Sequence, residues 1–175
     1  MKAKMKKLIS TKSIPLLALV LLAGVVLMTG IAWAQSTEYS VNCAFSYGGT
    51  HTAKQWIDEE GVLHLRGITY GLTSTSGNID IEIAGVCNHN YDLGTGDGDF
   101  WGDDETVDVT WGDLTGTFRG RHSGTRTNHT VGDSNHIYQG ISGDFVGWKL
   151  TLNGTWDFPN KAGTCEGILH NPHGE

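Results

Sequence analysis

A two-residue alternation of apolar and polar positions runs from Val146 to Phe158. The large apolar side chains that share one parity in this segment are Val146, Trp148, Leu150, Leu152, Trp156 and Phe158. Because successive side chains of a β-strand point to opposite faces, this parity predicts a half-buried pair of strands. A three-residue turn at 152–154, with Gly154 in the left-handed conformation, keeps the bulk on one face and predicts a hairpin over 148–158.

The same period recurs in other parts of the chain. It predicts short strands that include 39–47, 62–70, 78–87, 107–111, 114–122, 136–144 and 164–169, about eight or nine in all. The polar segments 88–105 and 123–135 are predicted to be long loops. A short helix over 53–60 competes with a strand there, because that window contains good helix formers.

Glycine makes up 25 of the 175 residues, and several glycines lie inside the predicted strands. Interior glycines weaken a flat strand but permit the bends by which a sheet curls shut. We therefore predict an all-β fold, a closed antiparallel barrel of about eight strands, with a β-sandwich as the alternative. The predicted interior consists of Phe45, Ile81, Ile83, Val109, Trp111, Phe118, Trp148, Leu150 and Trp156.

The first 34 residues combine five lysines, an apolar run from Ile14 to Ile31 and the sequence Ala32-Trp33-Ala34. This order is typical of a secretory signal peptide with cleavage after Ala34. A run of this length is also long enough to be retained as a membrane anchor. We predict a signal peptide at 1–34, a single domain at 35–175, a secreted, periplasmic or extracellular location, and no membrane contact after cleavage.

Residues 35–175 hold seven of the 12 basic residues and all 19 acidic residues, a formal charge of −12. A surface of this charge repels phosphate arrays, so nucleic acids and anionic membranes are poor partners. An acidic surface also serves solubility alone. The sequence leaves the formation of a homo-oligomer open.

Three segments carry a resemblance to known proteins: 56–67 (WIDEEGVLHLRG), 116–121 (GTFRGR) and 138–150 (YQGISGDFVGWKL). They resemble secreted bacterial proteins of uncharacterised function, which are similar in turn to the allene oxide cyclase and dirigent class of eight-stranded antiparallel barrels. The resemblance implies a barrel with an apolar interior able to hold a small ligand. Its motifs are glycine and aromatic spacings, and no catalytic residue of the cyclases matches a position here, so their activity does not carry over.

The three cysteines lie on the apolar parity of three different predicted strands. In an exported protein, one disulfide competes with the alternative of three buried thiols. A closed sheet brings the first and last strands together, so we favour a bond between Cys43 and Cys165 and a free Cys87.

The segment 88–105 is rich in glycine and aspartate, and Ca²⁺ prefers several oxygen ligands on a flexible chain. Its candidate ligands are Asp97, Asp99, Asp103 and Asp104. The spacing fits an EF-hand poorly, because Trp101 occupies a ligand position and no flanking helices are predicted. We therefore predict an ordinary acidic loop and no cofactor, with calcium as the one ion worth testing.

Reaction motifs are absent from the sequence. The eight histidines show no zinc-ligand spacing, and there is no G-x-S-x-G nucleophile motif. Asp80 and Glu82 share a face opposite isoleucines, which is typical of a solvent side. The strand parities place nearly all carboxylates outside the barrel, whereas an enzyme needs an acid or base inside it, so the sequence favours a role other than catalysis.

Two classes of function remain. The first is a secreted protein that binds a small apolar or aromatic ligand, through residues predicted to be Phe45, Trp111, Phe118, Trp148 and Trp156. An alternative within this class is a structural envelope or matrix component whose interior is fully packed and binds no ligand. The second class is a cofactor-independent cyclase or isomerase, in which the barrel acts as a mould that excludes water.

Overall fold

The structure is a computed structural model that describes residues 35–174, and these residues form eight strands. The strands are β1 (Thr37–Ile57), β2 (Val62–Gly77), β3 (Asp80–Asp92), β4 (Gly98–Trp111), β5 (Leu114–Thr127), β6 (Val131–Gly140), β7 (Lys149–Asp157) and β8 (Ala162–Asn171). The predicted signal peptide lies outside the described residues. Within 35–174, no helix has the length and apolar character needed to cross a membrane.

The sheet is closed. Each strand pairs antiparallel with the next one in sequence, and β8 pairs with β1 from Thr37–Asn171 to Ser46–Ala162. Closure removes the free strand edges that would otherwise be open to pairing with other chains. The predicted fold class, an antiparallel barrel of about eight strands, is confirmed.

Alternation along each strand fills the barrel interior. Eight of the nine predicted interior residues are buried, and the ninth, Trp111, is partly exposed while packing against the same core. Val107 and Leu169 add fully buried side chains to it. The apolar parity therefore identified the inward face of most strands correctly.

The two ends of the barrel differ. At the closed end, a 3₁₀ turn over Gly143–Phe145 inserts the fully buried ring of Phe145 between Phe118 and Trp148, each 5.3 Å away between ring centroids. At the opposite end, which we call the open end, the chain reverses at 58–61, 93–97, 128–130 and 158–161. Only the closed end contains such an inserted turn within the described residues.

The predicted hairpin over 148–158 is wrong. Lys149–Asp157 is one strand, and Leu150, Leu152 and Trp156 face inward because an unbroken strand keeps the same parity without any turn. Gly154, predicted to be in the turn, instead makes room inside the barrel, where a Cβ would meet Ser134 Oγ at 2.7 Å. Val146, which was predicted to face the core, lies before β7 and is 58% exposed.

The two predicted long loops are also wrong. Residues 88–105 form most of the β3–β4 hairpin, with a turn of only five residues, and 123–135 form the end of β5, the turn and the first half of β6. The competing helix over 53–60 is absent, since β1 continues to Ile57. Apart from Phe100, these segments lack an apolar alternation because their inward positions hold mainly glycine, histidine and serine.

Closure of the sheet is reinforced covalently. Cys43 and Cys165 are direct partners in the register of β1 and β8, and they are joined as a disulfide. Both half-cystines are buried. Cys87, on β3, is a buried free thiol.

Replacing Cys43 and Cys165 together by alanine is expected to lower the free energy of unfolding by about 4 to 5 kcal/mol, because the bond joins residues 122 positions apart. Urea denaturation measures the change, and Cys87→Ala, which leaves the bond intact, is the matched control. A double variant as stable as the wild type would contradict this assignment.

Candidate functional site

The interior contains one fully buried carboxylate, that of Glu105 on β4, among the described residues. A bulge between Gly102 and Glu105 shifts the register of β4 against β5, and Asp104 in that bulge has a positive φ of 59°. The bulge leaves Asp103 and Asp104 exposed on the outer surface and turns the next carboxylate inward. The acidic run 103–105 is thus divided between the two faces of the sheet.

Three side chains donate hydrogen bonds to Glu105. His122 Nδ1 lies 2.5 Å from its Oε1, Tyr138 donates to its Oε2 at 2.7 Å, and the Tyr70 hydroxyl also donates to Oε1. Because an ionised carboxylate can only accept, His122 must carry its hydrogen on Nδ1. Three donors compensate the loss of hydration that burial of a charge entails.

A chain of hydrogen bonds extends from this cluster to Trp156. Tyr138 uses its hydrogen for Glu105, so its oxygen accepts from His136 Nδ1 at 2.8 Å. Trp156 Nε1 donates to Ser134 Oγ at 2.6 Å, and Ser134 in turn donates to His136 Nε2 at 2.8 Å. Every donor in the chain therefore points toward Glu105, which fixes His136 as the neutral Nδ1–H tautomer.

Glycines on neighbouring strands provide the space that the cluster occupies. A Cβ at Gly102 would lie 2.6 Å from His122 Cε1, and a Cβ at Gly85 would lie 3.0 Å from Glu105 Cγ. A Cβ at Gly120 would lie 2.5 Å from Tyr138 Cδ1. Larger residues at these positions would displace the hydrogen-bonded side chains.

The pKa values follow from burial and from these bonds. Burial acts to raise the pKa of Glu105, but the hydrogen bonds that it accepts from His122, Tyr70 and Tyr138 hold this pKa below its usual value. Burial, followed by the charge of Glu105, raises the pKa of both tyrosines far above its usual range. Burial also lowers the pKa of His136 to about 4, in agreement with its neutral tautomer.

A cavity of about 190 Å³ lies between this cluster and the open end. It is lined by Tyr47, Gly49, Ile68, Tyr70, Cys87, His89, Phe100, His122, Trp156 and Phe158. Burial lowers the pKa of His89 to about 4 and raises the pKa of Cys87 to about 12, so both are neutral at pH 7. The cavity therefore has mainly aromatic walls, with Tyr70 and His122 on the side of the carboxylate.

Larger hollows, of about 460 to 550 Å³, lie among exposed side chains on the outer surface of the sheet. Their rims carry threonine and acidic residues such as Asp80 and Glu82, which the sequence placed on the solvent side. We take the interior cavity as the candidate site because it is enclosed by aromatic rings and touches the buried polar cluster.

The five predicted ligand-binding residues do not form one site. Trp156 lines the cavity, and the ring of Phe45 packs against that of Trp156 with their centroids 4.9 Å apart. Phe118 and Trp148 instead surround Phe145 at the closed end. Trp111 packs against Tyr39, with ring centroids 4.5 Å apart, away from the cavity lining.

The four candidate calcium ligands are spread along the β3–β4 hairpin. Asp97 is in the turn, where its Oδ1 accepts from the Asn128 backbone N–H at 2.9 Å, whereas Asp99 is on β4 and Asp103 and Asp104 are at the bulge. Along a strand, 99 and 103 are about 13 Å apart at 3.3 Å per residue. The prediction that these aspartates form ordinary acidic surface, with calcium as the one ion worth testing, stays a prediction.

Within 35–174, the group of side chains best placed to share a metal ion is Glu105, His122 and His136, whose ligand atoms lie within 4.8 Å of one another. Two imidazoles and a carboxylate form a donor set that zinc uses. Both nitrogens of His136 and both oxygens of Glu105 are already hydrogen-bonded, and Tyr138 lies between those two residues. The arrangement therefore satisfies itself as a hydrogen-bond network, and we assign no metal to it.

Sequence reasoning missed the polar cluster, although a signal was present. Glu105 has the same parity as Val107 and Val109, and His122 has the same parity as Phe118. Extending each apolar parity by one or two residue pairs would have placed both side chains inside the barrel. The expectation that carboxylates lie outside therefore fails at Glu105.

Comparison with known proteins gives the fold alone. No model of a known protein family and no curated protein matches the chain. The structure is similar to the crystal structure of a protein with unknown function from the DUF3224 family of Shewanella oneidensis MR-1. The TM-score is 0.61 with 16% sequence identity, over 76% of this chain and 96% of that chain.

The neutral His136 makes stability depend on pH. Its pKa is about 4 in the folded state and about 6.5 in an unfolded chain, so between these values the unfolded state binds more protons. The free energy of unfolding should therefore fall as pH falls through this window, by about 2 kcal/mol from His136 between pH 7 and pH 5. His89, whose pKa is lowered to the same value, adds a loss in the same direction.

Urea denaturation of wild type and His136→Gln at pH 7 and pH 5 measures this effect. The glutamine amide can still bond to Ser134 and Tyr138 but does not titrate, so its loss on acidification should be smaller. His170→Gln, on the barrel surface, is the control. An equal loss in wild type and His136→Gln would contradict a neutral buried His136.

Proposed function

We propose that this chain is an exported protein that binds a small aromatic or apolar molecule in the cavity at the open end of the barrel. The observation that carries this proposal is the combination of aromatic walls and a polar floor in one enclosed space. Ligand sites are typically apolar concavities with a few converging polar groups. The N-terminal segment with its A-x-A pattern supports export.

The volume of the cavity limits the ligand. An apolar cavity of about 150 Å³ accommodates benzene, so about 190 Å³ suits one aromatic ring with a short substituent. Phe100, Trp156 and Phe158 pack edge-on or stacked at 5.7 to 6.2 Å between centroids, and their rings offer faces and edges to such a ring. We propose a monocyclic ligand on this basis.

The polar floor gives the ligand an orientation. His122 lines the cavity and uses Nδ1 for Glu105, and its Nε2 has no hydrogen bond with any described residue. In a neutral ring with its hydrogen on Nδ1, Nε2 accepts hydrogen bonds, so a ligand hydroxyl can donate to it. A phenol would therefore bind with its ring against the aromatic walls and its hydroxyl at His122.

Isothermal titration calorimetry with p-cresol and toluene tests the proposal. Both should bind, with p-cresol tighter by a factor of about 5 to 10, as one additional hydrogen bond contributes about 1 kcal/mol. Gly49→Leu should abolish binding, because Gly49 lines the cavity and its Cβ would make only ordinary contacts of 3.4 Å or more.

Gly48→Leu is the matched control, because Gly48 does not line the cavity and a Cβ there would meet nothing within 4 Å. It should leave both affinities unchanged. If wild type binds neither compound and its melting temperature is unchanged in the presence of p-cresol or toluene, a structural envelope or matrix role would be favoured instead.

A second function, that of a cofactor-independent isomerase or cyclase, is favoured by the pairing of Glu105 with His122 inside the barrel. A base held in one tautomer by a buried carboxylate is suited to proton transfer. His122 Nε2 would take a proton from a carbon next to a ligand carbonyl while the electron pair moves to the carbonyl oxygen. The proton would return from the same nitrogen to another position.

Exchange of deuterium into phenylacetone, followed by NMR in D₂O, tests the second function. Wild type should accelerate exchange at the benzylic carbon, and His122→Gln should lose the acceleration. Glu105→Gln should shift the pH profile of the rate, because Glu105 acts through His122 as a positioning residue. Exchange no faster than in buffer, while p-cresol binds, would leave the chain as a binding protein.

A further inference from the structure

We propose that the cavity selects an anionic ligand, a monocyclic aromatic carboxylate, and that Arg126 at the open end is the residue that recognises its carboxylate. This inference rests on the proposed binding function and adds the charge of the ligand to it. No motif in the sequence pointed to Arg126. Its position, its unused hydrogen-bond donor and the charges around it support this assignment.

Arg126 packs against a ring that lines the cavity, toward the open end. It follows His122 by four residues on β5, and so has the same parity, about 13 Å further toward the open end at 3.3 Å per residue. Its guanidinium lies 4.4 Å from the ring centroid of Phe158, which lines the cavity, and 5.0 Å from that of Tyr91. Its charge also contributes to lowering the pKa of His89, another lining residue.

The guanidinium has an unused donor. Nη2 donates to the His129 carbonyl oxygen at 2.7 Å. Nε is the one buried side-chain nitrogen or oxygen without a hydrogen-bond partner in the part of the chain that the structure describes. A buried donor without a partner is unfavourable, and a carboxylate that accepts from Nε and Nη2 side by side would supply the missing acceptor.

The surroundings leave the positive charge available. No Asp or Glu of the described residues lies within 4.0 Å of Arg126, even though acidic residues outnumber basic ones by 19 to 12 in the chain. The outer acidic surface would repel anions at long range, but a salt bridge to a partly buried guanidinium acts at short range, where screening is weak.

The buried carboxylate determines which end of the ligand enters first. Glu105 already accepts three hydrogen bonds, and a second anion beside it would be repelled in a medium of low dielectric constant. The aromatic ring therefore enters the cavity, and the carboxylate stays at the rim, against Arg126. The negative floor and the positive rim thus oppose the reverse orientation.

Calorimetric titration with phenylacetate and phenylacetamide tests this inference, since the two have nearly the same shape and differ in charge. For wild type at pH 7, phenylacetate should bind at least ten-fold tighter than phenylacetamide. Arg126→Met, which keeps an apolar stem against Phe158, should remove this preference and leave the affinity for phenylacetamide within about two-fold. Arg121→Met, an exposed arginine on the same strand, should retain the preference.

The outcomes separate the two proposals. Equal affinities of wild type for the two compounds, or a preference that survives Arg126→Met, would overturn the role of Arg126 while the proposed binding function stands. If neither compound binds but p-cresol does, the anion inference falls alone. If none of the three binds, both proposals fall. Melting curves of both methionine variants verify that they are folded.

Discussion

Pairing of β8 with β1 over ten residue pairs is the contact on which the rest of the molecule depends. It leaves no free edge, so the inward faces of all eight strands share one interior, and the Cys43–Cys165 bond lies within this pairing. An interior of this kind excludes water from any polar side chain that the strands point into it. Closure is therefore what turns Glu105 from an acidic residue in a polar run into a buried charge.

The barrel meets the cost of that charge with donors from three other strands. Tyr70 comes from β2, His122 from β5 and Tyr138 from β6, and each has a hydroxyl or imidazole hydrogen directed at the carboxylate. His136, Ser134 and Trp156 extend the same directed chain into the aromatic wall. His122 connects the cluster to the cavity. Its Nδ1 is bonded to Glu105, it lines the cavity, and its Nε2 has no hydrogen bond with any described residue.

The architecture was predictable from the sequence, because parity, glycine content and the absence of helical periods all agreed. The strand ends and the site were much less so. Leu150, Leu152 and Trp156 share a parity in one strand as well as in a hairpin, so Asn153-Gly154 was read as a turn. Strands whose inward residues are Gly, Ser and His, as in 132–136, carry no apolar signal and were read as loops.

The position of Glu105 shows why polar sites resist such prediction. Its parity with Val107 was visible, but the two aspartates before it belong to a bulge whose geometry depends on pairing with β5, which lies ten or more residues further along the chain. The position of Arg126 next to the cavity likewise depends on its contacts with Phe158 and Tyr91, which belong to other hairpins. Such contacts arise from closure and have no local pattern.

The burial of Cys87 has a consequence for oxidative folding. Thiol–disulfide exchange requires a thiolate, and burial raises the pKa of this thiol to about 12, which leaves roughly one molecule in 10⁵ ionised at pH 7. In the oxidising compartment that the N-terminal segment predicts, the folded barrel thus keeps its third cysteine from attacking the Cys43–Cys165 bond or pairing with another chain. Once the sheet has closed, the correct disulfide is protected by kinetics as well as by stability, and an odd number of cysteines is no hazard to the folded protein.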